Sequence, residues 1–167
     1  LILWGIERIF YKYRGGCVSF KFTLFTTGLL LMMLGVMMFI PFMVEYADGH
    51  PNSTAFFFSA LVCIYLGGSL FLANQRDNFD FNIREGFMLT TVSWLVLSFA
   101  GALPFYLSDL NLSFTDAYFE SISGITTTGS TVLSGLDYMS HGVLLWRSIL
   151  QWIGGIGIIA FGIVLLP

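Results

Sequence analysis

Charge is scarce in this chain. Only 10% of its 167 residues are Asp, Glu, Lys or Arg, against about 25% in an ordinary soluble domain. Histidine and cysteine occur twice each and proline four times. Cys17 and Cys63 have no metal-ligand spacing and no histidine beside them, so they read as small residues near or within membrane helices. The apolar runs contain no inward Asp, Glu or His pair able to do acid–base work, so neither an enzyme nor a cofactor is expected. No nucleic-acid partner is expected either. The net charge of −3 says little, because in a membrane protein the sidedness of charge matters more than its sum.

Apolar sequence fills the space that charge leaves. Hydrophobic residues make up 56% of the chain, aromatics 17%, and the mean hydropathy is +0.82. The few charges gather in short stretches, separated by runs at 22–44, 55–73, 86–107 and 143–166. About 20 apolar residues suffice for a helix to cross a bilayer. Four crossing helices follow, the first too long for the apolar core of a signal peptide. Pro41 is expected to kink the first span near its end. Residues 45–54 read as a loop around Asp48, Gly49 and Pro51, and Gly67-Gly68 as a close-packing point in the second span. Residues 74–85 form a polar connector.

The basic residues settle the orientation. Arg8, Lys12, Arg14 and Lys21 precede span one, and Arg76 and Arg84 lie between spans two and three. Six of the seven therefore share a face with the amino terminus, which the positive-inside rule makes cytoplasmic. Glu45, Asp48, Asp109, Asp116, Glu120 and Asp137 belong to the other face. Two readings stand for them: an acidic mouth that concentrates cations, or acids that merely populate translocated loops. Arg147, at the start of the last span, is expected to pair with Asp137 or Glu120 and tie the preceding loop to that helix. His50 and His141 read as exposed loop histidines, and Asn52-Ser53-Thr54 as a chance sequon.

Residues 108–141 are too polar to cross and too apolar for a plain loop. Ser113 to Gly124 (SFTDAYFESISG) reads as a short helix capped by Ser113, with Asp116 three residues on and Phe114, Ala117, Tyr118 and Ile122 on an apolar side. A helix of about 12 residues reaches only about 18 Å. It must enter and return. The chain then runs Thr126-Thr127-Thr128-Gly129-Ser130-Thr131. Irregular backbone at membrane depth is tolerated where it is buried in protein or lines a water-filled cavity. Carbonyl oxygens on such a strand can replace the hydration shell of an alkali cation. An extracellular loop with turn-forming threonines is the competing reading. Gly155-Ile-Gly157 mimics a dinucleotide fingerprint but lies inside a span, where glycines serve close helix packing.

The strings Ser123–Leu133 (SGITTTGSTVL) and Leu144–Ile158 (LLWRSILQWIGGIGI) resemble the first pore loop and the following helix of TrkH/KtrB-type potassium-uptake proteins. Gly86-Phe87, Trp94–Ser98 and Gly101–Phe105 resemble the helix before it. The resemblance covers about residues 84–167, and the two leading spans fit the extra helix pair of the subfamily. It implies an all-α integral membrane protein: a leading part over 1–85, holding a surface segment and a transmembrane helix pair, then one membrane-pore-membrane repeat over 86–167. In such proteins four repeats surround one path, and backbone carbonyls beside each filter glycine bind potassium. Carried over, Gly129 is that glycine, Thr127 and Thr128 are the foremost ligands, and Thr126 and Ser130 are adjacent.

Further implications are residence in the bacterial cytoplasmic (inner) membrane, potassium as transported ion, the remaining repeats or further copies as partners, a homodimer in full length and a cytosolic nucleotide-binding regulatory subunit. The chain starts at Leu1 without methionine and stops after an apolar run, and reads as a piece of a larger protein. The alternative is a non-conducting scaffold or accessory subunit whose re-entrant loop merely packs.

Overall fold

The computed structural model of the chain describes residues 20–75 and 83–165. The expected surface segment, Phe20 and Lys21 excepted, lies outside them, as do Cys17, Arg8, Lys12, Arg14 and Arg76. Among the described residues every regular element is helical, and four helical stretches are long and apolar enough to cross a membrane.

The first of these joins α1 (Phe20–Met37) and α2 (Phe39–Ala47) into one span of 28 residues. Pro41 has no N–H to offer the carbonyl of Met37, and the helix is interrupted between those two residues. Around the break the ladder holds, with Met38 N–H donating to Leu34 (3.1 Å) and Phe42 N–H to Met38 (3.2 Å). The loop that follows is shorter than expected. Glu45 is helical, and α3 (Ser53–Ala73) starts two residues before the predicted Ala55.

α3 returns antiparallel to α1 on glycine. A Cβ on Gly28 would stand 2.8 Å from the Gly67 carbonyl oxygen, and one on Gly67 would stand 2.7 Å from that of Gly28. Further along, Gly35 approaches Ala60 and Cys63. Without a hydrophobic force between helices in lipid, such close backbone approach supplies the association through dispersion. Gly67 thus fills the predicted role; Gly68 faces open space.

α4 (Ile83–Leu107), α5 (Phe114–Ile125), a single 3-10 turn (Leu136–Tyr138) and α6 (His141–Leu165) complete the chain. The leading helices pack onto them: Thr27 and Ser93 share a hydrogen bond between α1 and α4 (3.3 Å), and Glu45 lies against Gly142 of α6. Phe56, Phe105, Trp146 and Leu150 form the core with Leu34 and Met38. The Trp146 indole N–H donates to the Gly101 carbonyl at 3.0 Å, which gives a buried polar atom its partner. Asn52 is only 3% exposed; its side chain accepts from Asp109 N–H at 2.9 Å and reaches Ser140. It clasps three loops, and its burial leaves the side-chain amide no room for a glycan.

The short helix packs by a different face from the one its apolar residues suggest. Ala117, Glu120, Ser121 and Gly124 are buried, whereas Phe114 is exposed and Tyr118 and Ile122 half-buried. Small residues let α5 sit close to both neighbours: Ser121 meets Gly101 of α4, and Gly124 meets Leu150 of α6. Phe114 instead joins Phe99, Tyr106 and Tyr118 in an aromatic cluster.

Candidate functional site

Three pairings fix the direction of the short helix. Glu120 meets Arg147, Gly124 meets Leu150 and Ile125 meets Gly154, so α5 and α6 run parallel. Residues 126–140 must therefore carry the chain back to the side from which α5 entered. Gly154 stands 13 residues beyond His141, about 20 Å down a helix of about 37 Å. The foot of α5 lies near the middle of the last span. The segment is re-entrant in the geometric sense.

Ser113 caps the entry. Its hydroxyl accepts from Asp116 N–H (3.2 Å) and donates to the Asp116 carboxylate (2.7 Å), an acidic group also favoured at a helix amino terminus. At the foot, Thr128 N–H donates to Ser123 (3.0 Å) and Thr127 N–H to Gly124 (2.9 Å). This is the left-handed cap usually built on glycine. Here Thr127 occupies it, with φ of 55°. A β-branched residue in that region is strained by roughly 1–2 kcal/mol, and such strain persists only where surrounding bonds over-determine the backbone. Gly129 follows with φ of 77° and open space about its missing side chain. Conformation, not crowding, demands glycine there.

Thr127 to Val132 are exposed along the returning strand. Among the described residues, the carbonyls of Thr126, Thr127, Thr128 and Gly129 accept no hydrogen bond. The Thr126 hydroxyl is turned back, donating to Ile122 (2.8 Å) and lying 2.8 Å from that of Thr128. Ser130 differs from the four residues before it: its carbonyl accepts from the Ser123 hydroxyl at 2.6 Å.

Above Ser130 the strand is held by a buried carboxylate. Glu120, 1% exposed, accepts from the Thr131 hydroxyl (2.9 Å) and Val132 N–H (3.1 Å), and pairs with Arg147. Of the two partners the sequence left open for Arg147, the structure selects Glu120; Asp137 is exposed in the 3-10 turn. The parts that sequence reasoning passed over are Ser123 and Thr131. Their hydroxyls bond across seven and eleven residues, a separation that leaves no local signal.

The other acidic residues on the side from which α5 enters change the electrostatic expectation. Glu45 and Glu120 are buried, Asp48 lies 2.9 Å from His141 Nδ1 and Asp116 serves the cap. Asp109 and Asp137 are left as exposed, unpaired carboxylates among the described residues, so any acidic mouth is narrower than the sequence suggests. His50 is half-exposed, 3.4 Å from the Glu45 carboxylate.

A TrkH profile, described as a cation transport protein, matches residues 52–167. The Trk system potassium uptake protein TrkH of Escherichia coli (strain K12) is 44% identical over 144 residues, which is 84% of this chain and 29% of that protein. The chain belongs to the TrkH family. TrkH of Vibrio parahaemolyticus is 40% identical over 90% of this chain and 31% of its own length. The crystal structure of the potassium transporter TrkH from Vibrio parahaemolyticus matches with a TM-score of 0.84 at 37% identity, covering 89% of this chain and 32% of that one. This TrkH-family chain thus spans about three-tenths of the relatives it matches. The profile match begins at Asn52, so the family relationship extends well ahead of residue 84 and takes in the whole of α3.

Proposed function

We propose that this chain is the amino-terminal part of a potassium-uptake protein, with residues 1–85 as a leading part and 86–167 as its first membrane-pore-membrane repeat. The observation that carries the proposal is the run of four unengaged carbonyls, Thr126 to Gly129, on an exposed strand at the foot of a half-helix. Carbonyl oxygens are hard ligands suited to a dehydrated alkali cation. The negative end of the α5 dipole lies beside them, which favours a cation there. Thr127 and Thr128 take the central role, Gly129 supplies the backbone angle, and Thr126 is adjacent. Ser130 keeps one free lone pair on its carbonyl and acts chiefly as an anchor.

Potassium is the transported ion, in keeping with the names of the relatives. One repeat supplies one quarter of a filter, so the pore closes with the remaining repeats of the same protein. The full-length protein works as a homodimer in the bacterial inner membrane, amino terminus cytoplasmic, under a cytosolic nucleotide-binding subunit. The test is growth of a potassium-transport-deficient bacterium at low potassium, using the full-length gene with and without Gly129→Ser. Rescue by the parent, with uptake abolished or sodium admitted by the substitution, supports the reading. Rescue unaffected by the substitution puts the pore elsewhere, and a well-expressed parent that never rescues favours a non-conducting scaffold.

A further inference from the structure

The half-helix is tied to its returning strand at two heights. At the foot, Thr127 and Thr128 donate to Gly124 and Ser123. Higher up, the Ser123 hydroxyl holds Ser130, and the Glu120 carboxylate holds Thr131 and Val132. The four unengaged carbonyls, Thr126 to Gly129, follow the foot of the half-helix and precede the upper ties. Thr131 is held twice over: its hydroxyl donates to Glu120 and accepts from Leu133 N–H at 3.0 Å.

We infer that Glu120 is a positioning residue for ion selectivity, its carboxylate fixing the height and tilt of the Thr126–Gly129 strand against the half-helix. This rests on the pore reading given above. A buried carboxylate is costly unless it is paired and its oxygens are hydrogen-bonded, and Glu120 meets both conditions through Arg147 and the strand. Arg147 offsets the carboxylate charge, so the pair brings no net charge to the pathway; what it contributes is geometry. Charge-assisted bonds are shorter and stronger than neutral ones, which suits a strand whose Thr127 is held in a strained conformation. Arg147 also extends the tie to α6, so half-helix, strand and last span are linked through one carboxylate.

The test measures the ratio of potassium to sodium flux in liposomes containing the full-length protein, with the parent, Glu120→Gln, Thr131→Val, Thr131→Ser and Gly129→Ser. Thr131→Val removes the hydroxyl while keeping shape and leaves the Glu120–Arg147 pair intact, so it decides the matter even where Glu120→Gln fails to insert. The expected result is a ratio lowered by about tenfold in Thr131→Val, the scale of one charge-assisted hydrogen bond, and a near-parental ratio in Thr131→Ser, which keeps the hydroxyl. A parental ratio in Thr131→Val and in any Glu120→Gln that inserts overturns the inference. So does an equal loss of both fluxes with a lowered melting temperature, which is the mark of a purely structural role. Gly129→Ser separates the two failures: if it shifts the ratio, the pore reading survives and only the role of Glu120 falls; if it too leaves the ratio unchanged, the pore reading falls with it.

Discussion

Gly154→Ala tests how tightly the foot of the half-helix is held. A methyl group on Gly154 would stand 2.7 Å from the carbonyl carbon of Ile125 and 3.0 Å from its Cα, and closer still to the carbonyl oxygen. Comfortable carbon–carbon contact is about 3.5–4.0 Å, so the carbonyl carbon alone requires the two helices to part by about 0.8–1.3 Å, and the nearer oxygen requires more. Every clashing atom is backbone, and no rotamer change relieves it. Alanine favours the helix over glycine by up to about 1 kcal/mol, while overpacking costs typically about 1–3 kcal/mol. The clash wins, and the net effect is a destabilisation of about 1–2 kcal/mol. Transport suffers more than stability, because Thr126 to Gly129 follow Ile125 directly and move with it. The assay pairs thermal unfolding of the purified full-length protein with radioactive rubidium uptake in liposomes. A melting temperature a few degrees lower with uptake reduced severalfold is expected. A Gly154→Ala protein that melts higher than the parent and transports normally would refute the close approach.

Neighbouring glycines in α3 give opposite outcomes: Gly67→Ala meets the Gly28 carbonyl and lowers the melting temperature, whereas Gly68→Ala meets open space and raises it slightly. Thr127→Gly relieves a left-handed β-branched residue, for a gain of at most about 1–2 kcal/mol less the added freedom of the unfolded chain, read as a raised melting temperature. Asn52→Ala leaves the Asp109 N–H without its acceptor and costs about 1–3 kcal/mol, while Asn52→Asp keeps the acceptor and loses less; denaturation of the two variants side by side checks this.

Element order was readable because membrane physics writes it in composition: a run of twenty uncharged residues has few alternatives to a crossing helix. The half-helix was readable from its length and from Ser113, whose cap forms as the pattern implies. Its packing face was not. An apolar stripe predicts burial in a soluble protein, but in lipid the small and polar face turns inward and Phe114 is left outside. Gly155, Gly157 and Gly162 illustrate the same limit. They read alike with Gly154, yet among the described residues only Gly154 meets a neighbour, because register against Ile125 is a property of the assembled helices. The left-handed turn at Thr127 left no trace in sequence, since glycine is the usual signal and threonine stands in its place. Arg147 announced a partner without saying which carboxylate. Burial of Glu120 on the inner face of α5 decided it.

The most direct test of the central claim is a crystal structure of the full-length protein soaked in thallium, a heavy mimic of potassium. Anomalous density coordinated by the backbone carbonyls of Thr127 and Thr128, beside Gly129, is the predicted result. Density confined to other parts of the protein, with this strand bare, contradicts it.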